Sequence, residues 1–256
     1  MEVDALDVQA YLARISYRGS LAPSAEALRQ LHVAHLLTVP FENLSIHYGE
    51  RIVLDERALF DKLVRRRRGG FCYELNGLFA ALLRALGFNV TMLSARVISE
   101  VGEASPEFDH LVLLVHLEQN WLADVGFGDL FREPLLLEQR LEQIQGENAF
   151  RLDVHEDRFT VLRSEKQGLW KGQYRFGFKA HILDDFAARC RYHQTDPTSH
   201  FKQGRICTRA TPDGRLTLSE RRLITTAASD RQEREIASEM EYSEVLRGLF
   251  GIVLNH

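Results

Sequence analysis

Arg68-Gly69-Gly70-Phe71-Cys72-Tyr73-Glu74-Leu75-Asn76 opens a run in which Leu75, Leu78, Phe79, Leu82, Leu83 and Leu86 recur at three- and four-residue spacing. That recurrence is one apolar helical stripe, and Gly87 stands where a C′ glycine would end it. The helix therefore starts close to Cys72 and stops near Leu86. Its first turn offers unpaired backbone N–H groups and the positive end of the macrodipole. With a His or Lys nearby, such a position draws a thiol pKa from about 8.5 into the ~3.5–7.5 range, so the sequence predicts a thiolate at neutral pH. The same N–H groups suit the oxyanion of a tetrahedral intermediate, and Gly69-Gly70 would let a substrate backbone or thioester come close. Cys190 and Cys207 lack a glycine turn and a helix start, and read as small buried hydrophobes.

A nucleophilic thiolate needs a partner for its proton. In Asp109-His110-Leu111-Val112-Leu113-Leu114-Val115-His116-Leu117 the period-two pattern puts His110 on the face of Val112 and Leu114, at the mouth of an apolar strand. Further on, Trp121-Leu122-Ala123-Asp124-Val125-Gly126-Phe127-Gly128 places Asp124 on the face of Leu122. A carboxylate in an apolar strand is costly without a partner, and an imidazole N–H on the neighbouring antiparallel strand supplies one. Cys72 at a helix start, with His110 and Asp124 on adjacent strands, has the order of papain-like and transglutaminase-like enzymes and points to acyl transfer.

Around this constellation the pattern divides in three. Residues 1–88 read as a helical bundle, with Leu28, Leu31, His32 and His35 following the N-cap candidate Ser24. Residues 89–182 carry short β-rich runs (Val90–Leu93, Leu111–Leu117, Trp121–Val125, Phe159–Leu162 and Tyr174–Phe176) that predict an antiparallel β-barrel or curled sheet. Residues 183–256 predict an α/β lid: a helix over Leu183–Tyr192, a hairpin whose turn Pro212-Asp213-Gly214 calls on glycine for positive φ, and a closing helix over Glu239–Phe250. The fold class is thus α+β. Between two helices, Val39-Pro40-Phe41-Glu42-Asn43 sets an aromatic beside a carboxylate on a connection.

The 256 residues suffice for one compact unit with a shared core. A formal charge of −4 gives no whole-molecule attraction to nucleic acid or an anionic membrane. The acidic start Met1-Glu2-Val3-Asp4 lacks a signal peptide's basic and apolar regions. No apolar stretch approaches the ~20 residues of a membrane helix, and three scattered cysteines suit a reducing compartment, so a cytoplasmic protein is expected. His32 and His35 lie three apart on a helix without further ligands, so no metal is expected. Of the run Arg65–Arg68, the first three read as solvated cations at a helix end.

These residues resemble a known family, the arylamine N-acetyltransferases. Arg68–Asn76 is similar to that family's nucleophile motif, Val39-Pro40-Phe41-Glu42-Asn43-Leu44 to its N-terminal signature, and Ala123-Asp124-Val125-Gly126-Phe127-Gly128 to its aspartate motif. His110 follows Cys72 by 38 positions and Asp124 follows His110 by 14, which fits the family's layout. The resemblance extends over nearly the whole chain and weakens toward the C-terminus. It implies a helical bundle carrying the cysteine, a β-barrel carrying His and Asp, and a C-terminal lid. It also implies ping-pong transfer of acetyl from acetyl-coenzyme A through a Cys72 thioester to an arylamine, arylhydroxylamine or hydrazine, as in xenobiotic metabolism, with no metal and no tightly bound cofactor. By the same resemblance Gly126, Phe127, Gly128, Ser199 and Phe201 would meet coenzyme A, and Arg68 would pair with a carboxylate such as Glu42. Phe41, Phe127 and Phe201 are the side chains expected to line a cleft for a flat, neutral acceptor.

Three other readings compete. An amide synthase closing a macrolactam from a carrier-bound polyketide would keep the triad and change the acceptor. A cysteine protease or peptidoglycan amidase would share the Cys-His-Asp order, and a degenerate binding protein is the weakest because all three positions are filled. The sequence leaves the physiological acceptor, acyl-donor preference and oligomeric state open.

Overall fold

The computed structural model describes residues 6–139, 141–165, 168–228 and 230–254. Helical periodicity in the first third produces α1 (Val8–Arg14), α2 (Ala25–Thr38), α3 (Leu44–His47), α4 (Glu56–Phe60, continued by a π-helical turn over Asp61–Arg65) and α5 (Cys72–Ala85). The starts of α1, α2 and α4 are set by short polar side chains that accept orphan N–H groups: Asp7 from Ala10, Ser24 from Ala27, and Asp55 from Arg57 and Ala58. Residues from Cys72 through Leu83 are all buried, so α5 is enclosed on every side rather than on the single stripe its periodicity suggests. Gly87, at φ +90°, ends it as expected.

After β1 (Phe41–Glu42) the central strands are β2 (Asn89–Val97), β3 (His110–His116), β4 (Asn120–Ala123), β5 (Leu135–Leu136), β6 (Gln143–Gln145), β7 (Asn148–His155), β8 (Arg158–Glu165) and β9 (Lys171–His181). They form one antiparallel sheet in the order β5-β4-β3-β2-β9-β8-β7-β6. Its two ends nearly close into a barrel through glutamine side chains that act as substitute peptide groups. Gln143 accepts from the Leu136 N–H at 2.8 Å and donates to its carbonyl at 3.0 Å. Gln145 accepts from the N–H groups of Arg132 and Glu133 and donates to the Glu133 carbonyl.

Strand β3 is buried on both faces, which is why it reads as a near-continuous apolar run. Leu111, Leu113 and Val115 pack on the helices, whereas Val112 and Leu114 point into the barrel with Phe150, Val161 and Phe176. The strand therefore joins two cores, and α5 lies against one of its faces.

The C-terminal segment begins with a 3-10 turn (Leu183–Phe186) leading into α6 (Ala187–Thr195) and α7 (His200–Gln203). It continues with β10 (Ile206–Thr211), β11 (Gly214–Ser219), β12 (Arg222–Ala227) and β13 (Asp230–Glu235), and then α8 (Glu239–Val245), extended by a π-helical turn over Leu246–Phe250. The short β1 adds to this sheet in the order β1-β10-β11-β12-β13, which brings Phe41 beside Thr208. The expected hairpin is present, but Gly214 is not a positive-φ turn residue: it is the first residue of β11. Glycine is required there because a Cβ would overlap the Thr226 carbonyl on β12.

Two buried ion pairs fix the loop ahead of α5. Arg68 reaches Glu42 at 2.9 Å, the pairing expected for Arg68, and Lys62 reaches Glu74 at 2.7 Å. Arg65, Arg66 and Arg67 are exposed. Gly69 and Gly70 are not open to a ligand, contrary to the expectation for the pair. A Cβ on Gly69 would overlap the Pro40 carbonyl, and one on Gly70 would lie 2.7 Å from the Glu74 carboxylate. These glycines let the loop pack against the protein's own chain.

Candidate active site

Cys72 is the first residue of α5, with Phe71 as N-cap. The Phe71 N–H is taken by Glu74 at 3.2 Å, while the Cys72 N–H, one residue on, lacks an intrahelical acceptor. From the same helix Tyr73 donates to the Phe108 and Asp109 carbonyls at 2.8 and 3.2 Å, and Asn76 donates to the Leu111 carbonyl at 2.7 Å. The helix bearing Cys72 thus grips β3 on both sides of His110.

His110 Nε2 and Asp124 Oδ2 are 2.8 Å apart, and both side chains are buried. Asp124 does not share a strand face with Leu122 as its spacing suggests, because β4 ends at Ala123. Beyond that point the chain is drawn toward the helices by Asn76, which donates to Asp124 Oδ1 at 2.8 Å and accepts from the Val125 N–H at 2.9 Å. The Gly126 N–H also donates to Oδ1. On the other side the Asp124 N–H donates to His32 Nε2 at 3.1 Å, which requires His32 to donate from Nδ1 to the Arg132 carbonyl at 2.7 Å. That neutral tautomer agrees with burial pulling the His32 pKa down to about 4.

Burial opposes the charge on Asp124, yet His110, Asn76 and the Gly126 N–H together hold its carboxyl below the ordinary range. Tyr174 packs its ring 5.2 Å from that of His110, with Phe127 at 5.3 Å. Burial and the neighbouring Asp124 push the Tyr174 phenol up, so it remains an O–H.

The sulfur departs from expectation. Burial, reinforced by the carboxylates of Asp124 and Asp109, pushes the Cys72 thiol well above its ordinary range, against a backbone N–H from Leu111. The helix end alone does not yield a free thiolate. Proton loss to solvent would add a second negative charge beside Asp124, so the proton needs an acceptor inside the site. Cys190 is raised to about 12 and Cys207 is raised as well, both by burial.

Cys72 and His110 face one cavity of about 420 Å³, whose walls include Phe41, Gly126, Phe127 and Phe201. Among the described residues no group of three or more His, Cys, Asp or Glu could hold a metal, and no helix is long and apolar enough to cross a membrane.

A family profile described as N-acetyltransferase matches residues 24–256. Arylamine N-acetyltransferase 1 of Homo sapiens is 34% identical over 276 residues, covering 97% of this chain and 95% of that protein. The chain belongs to the arylamine N-acetyltransferase family. The arylamine N-acetyltransferase of Escherichia coli (strain K12) is 39% identical over 212 residues, 82% of this chain and 75% of its own. Among solved structures, the arylamine N-acetyltransferase from Salmonella typhimurium superposes with a TM-score of 0.92 at 33% identity, covering 97% and 92% of the two chains. The Mycobacterium marinum arylamine N-acetyltransferase in complex with CoA gives 0.88 at 32% identity, covering 96% and 93%.

In this family member the structure brings Phe41, Phe127 and Phe201 to the cavity with Cys72, His110 and Gly126. Ser199 is not among the lining residues: it is buried, caps α7 through the Phe201 N–H and bonds His193. Gly128, at φ +95°, lies behind the wall, 3.4 Å from the Phe41 ring if a Cβ is added. Gly126 lines the cavity and is also required as glycine by contact within the protein. A Cβ there would stand 2.7 Å from Asn76 Nδ2 and 2.8 Å from Cys72 Cα.

Sequence reasoning gave no role to Asn76, His32 or Tyr174. Asn76 carried a usable signal, a polar residue one helical turn after the cysteine in an apolar stripe. His32 and Tyr174 reach the site only through the tertiary fold.

Proposed function

We propose that this protein catalyses transfer of an acetyl group from acetyl-coenzyme A through Cys72 to an arylamine, arylhydroxylamine or hydrazine. The observation that carries the reading is the buried His110–Asp124 pair, 2.8 Å apart, whose imidazole lines the same cavity as a cysteine at the first residue of α5. His110 Nε2 is committed to Asp124, which leaves Nδ1 for the sulfur. Transfer of the Cys72 proton to Nδ1 creates a thiolate and an imidazolium, and Asp124 stabilises the latter without taking the proton.

The thiolate attacks the acetyl carbonyl carbon, and the Cys72 N–H is placed to stabilise the oxyanion. Collapse breaks the bond to the coenzyme sulfur, which leaves with the proton from His110. An acceptor nitrogen then attacks the Cys72 thioester and gives its proton to the now neutral His110. Loss of the Cys72 thiolate releases the amide and restores the ion pair. An aniline nitrogen, mostly unprotonated at neutral pH, attacks without first shedding a proton, and Phe41, Phe127 and Phe201 offer flat apolar surface for its ring.

With this reading go four further proposals. The division into 1–88, 89–182 and 183–256 assigns bundle, barrel and lid. The helix-borne cysteine with strand-borne His and Asp forms a papain- or transglutaminase-like core. Coenzyme A meets the protein along Gly126, Phe127 and Phe201. The enzyme works in the cytoplasm on foreign aromatic amines. Intact mass spectrometry after mixing with acetyl-coenzyme A, without acceptor, tests the reaction. The expected result is one acetyl adduct, absent in Cys72→Ala and discharged by aniline. An alanine variant that acetylates aniline at the normal rate would refute the mechanism.

A further inference from the structure

The aromatic wall of the cavity is held by a hydrogen-bond chain that ends beside the imidazole. The Phe201 N–H donates to Ser199 Oγ at 3.3 Å, and Ser199 Oγ lies 3.0 Å from His193 Nδ1. His193 Nε2 in turn lies 3.1 Å from Asp109 Oδ1. Asp109 also receives Arg189 Nε at 2.7 Å, and it directly precedes His110 in the chain.

Asp109 has Arg189 against it and accepts, so His193 donates from Nε2. Ser199 Oγ accepts from the Phe201 N–H and keeps both its proton and a second lone pair for His193 Nδ1. His193 therefore sits as a link between the carboxylate that precedes β3 and the turn that presents His200 and Phe201 to the cavity. The ring is also packed edge-on against Phe71 and Phe201, at 6.3 and 5.0 Å between centroids. Ser199 and His193 are both buried, so the chain is shielded from competing water.

We propose that His193, acting through Ser199 and Asp109, is a positioning residue that registers the Phe201 wall against His110 and so sets affinity for the aromatic acceptor. The proposal rests on the transferase reading and assigns His193 to the acceptor half-reaction. Loading of Cys72 by a small ester needs little of that wall, whereas an aromatic ring must lie against it.

The test separates the two half-reactions, with S-ethyl thioacetate, a small donor that carries no ring, as loading thioester and aniline as acceptor. His193→Phe keeps the ring packing and deletes both hydrogen bonds, and Ser199→Ala cuts the same chain one link on. In each variant, Cys72 loading is expected within about twofold of wild type, with KM for aniline raised about five- to tenfold, the scale of one lost hydrogen bond. The double variant is expected to be no worse than His193→Phe alone, because one chain cannot be broken twice. His193→Gln, which retains a donor and an acceptor, should recover part of the KM. Unchanged KM in variants that still load, or equal loss in both half-reactions, overturns the inference. Failure of the wild type to load at all removes the transferase reading and the inference with it, so the two failures are distinct.

Discussion

Arg68→Met removes four contacts at once. Arg68 donates to Glu42 Oε1 from Nε at 3.0 Å and pairs with it from Nη2 at 2.9 Å. It also donates to Ser45 Oγ and to Glu50 Oε2, each at 3.2 Å. Methionine matches the aliphatic stem but offers no donor, so Glu42 would keep the Leu44 N–H at 2.7 Å and the field of Lys62. Breaking a buried pair by deleting one partner costs about 3–5 kcal/mol, a large share of the ~5–15 kcal/mol that holds a typical domain. The damage reaches the site, because the Glu42 N–H donates to the Gly70 carbonyl at 2.8 Å, two residues before Cys72, and Phe41 lines the cavity. Urea unfolding followed by far-ultraviolet circular dichroism should show a lower midpoint at unchanged slope, with acetylation reduced. Adding Glu42→Gln should return part of the lost stability, since the stranded charge is gone. A loss below about 1 kcal/mol, at the weak end for any hydrogen bond to a charged group, together with normal activity would refute the reasoning.

Gly126→Ala should leave a folded protein whose kcat falls about 10²-fold, because the new methyl forces the aspartate loop away from Cys72 Cα and Asn76; circular dichroism with steady-state acetylation checks both parts. Asp124→Asn should lower kcat by about 10⁴-fold, the cost of misorienting the imidazole in a comparable triad, as measured by aniline acetylation. For His32, burial sets the folded pKa at about 4, below its value of 6.5 when unfolded. The unfolded chain then binds the extra proton as pH falls, so stability is intact above pH ~6.5 and drains toward pH ~4 by roughly 3 kcal/mol from this group. Urea midpoints between pH 7 and 4 check the sign, and a flat or rising profile on acidification would contradict it.

What the chain discloses in advance is whatever periodicity and short-range order can carry. Strand β3 shows itself as an apolar run because both faces are buried, and α5 because its start lies between a glycine pair and an apolar stripe. The Arg68–Glu42 pair is legible only through the family resemblance, because no local pattern marks Arg68 as buried while its three neighbours are exposed. The roles of the glycines are not legible, because what Gly69, Gly126 and Gly214 touch lies on Pro40, Cys72 and Thr226, contacts that no local pattern encodes. Asp124 was placed one residue too far along its strand, since the pull of Asn76 and His32 that ends pairing at Ala123 comes from other elements. Ser199 belongs to His193 and the α7 cap rather than to the cavity surface. The dependence of the thiol on His110 is hidden for the same reason: proximity to a helix end is local, whereas enclosure beside Asp124 and Asp109 is a property of the whole fold.

The central claim is that Cys72 becomes nucleophilic by handing its proton to His110 rather than to solvent. It is tested by the pH dependence of Cys72 alkylation with iodoacetamide, read by intact mass, in wild type and His110→Ala. Wild type should react readily at neutral pH. In the variant, burial and the Asp124 and Asp109 carboxylates remain without the imidazole, so the profile should move above the ordinary cysteine range of about 8.5. Superimposable profiles for the two proteins would show that the imidazole does not hold the proton.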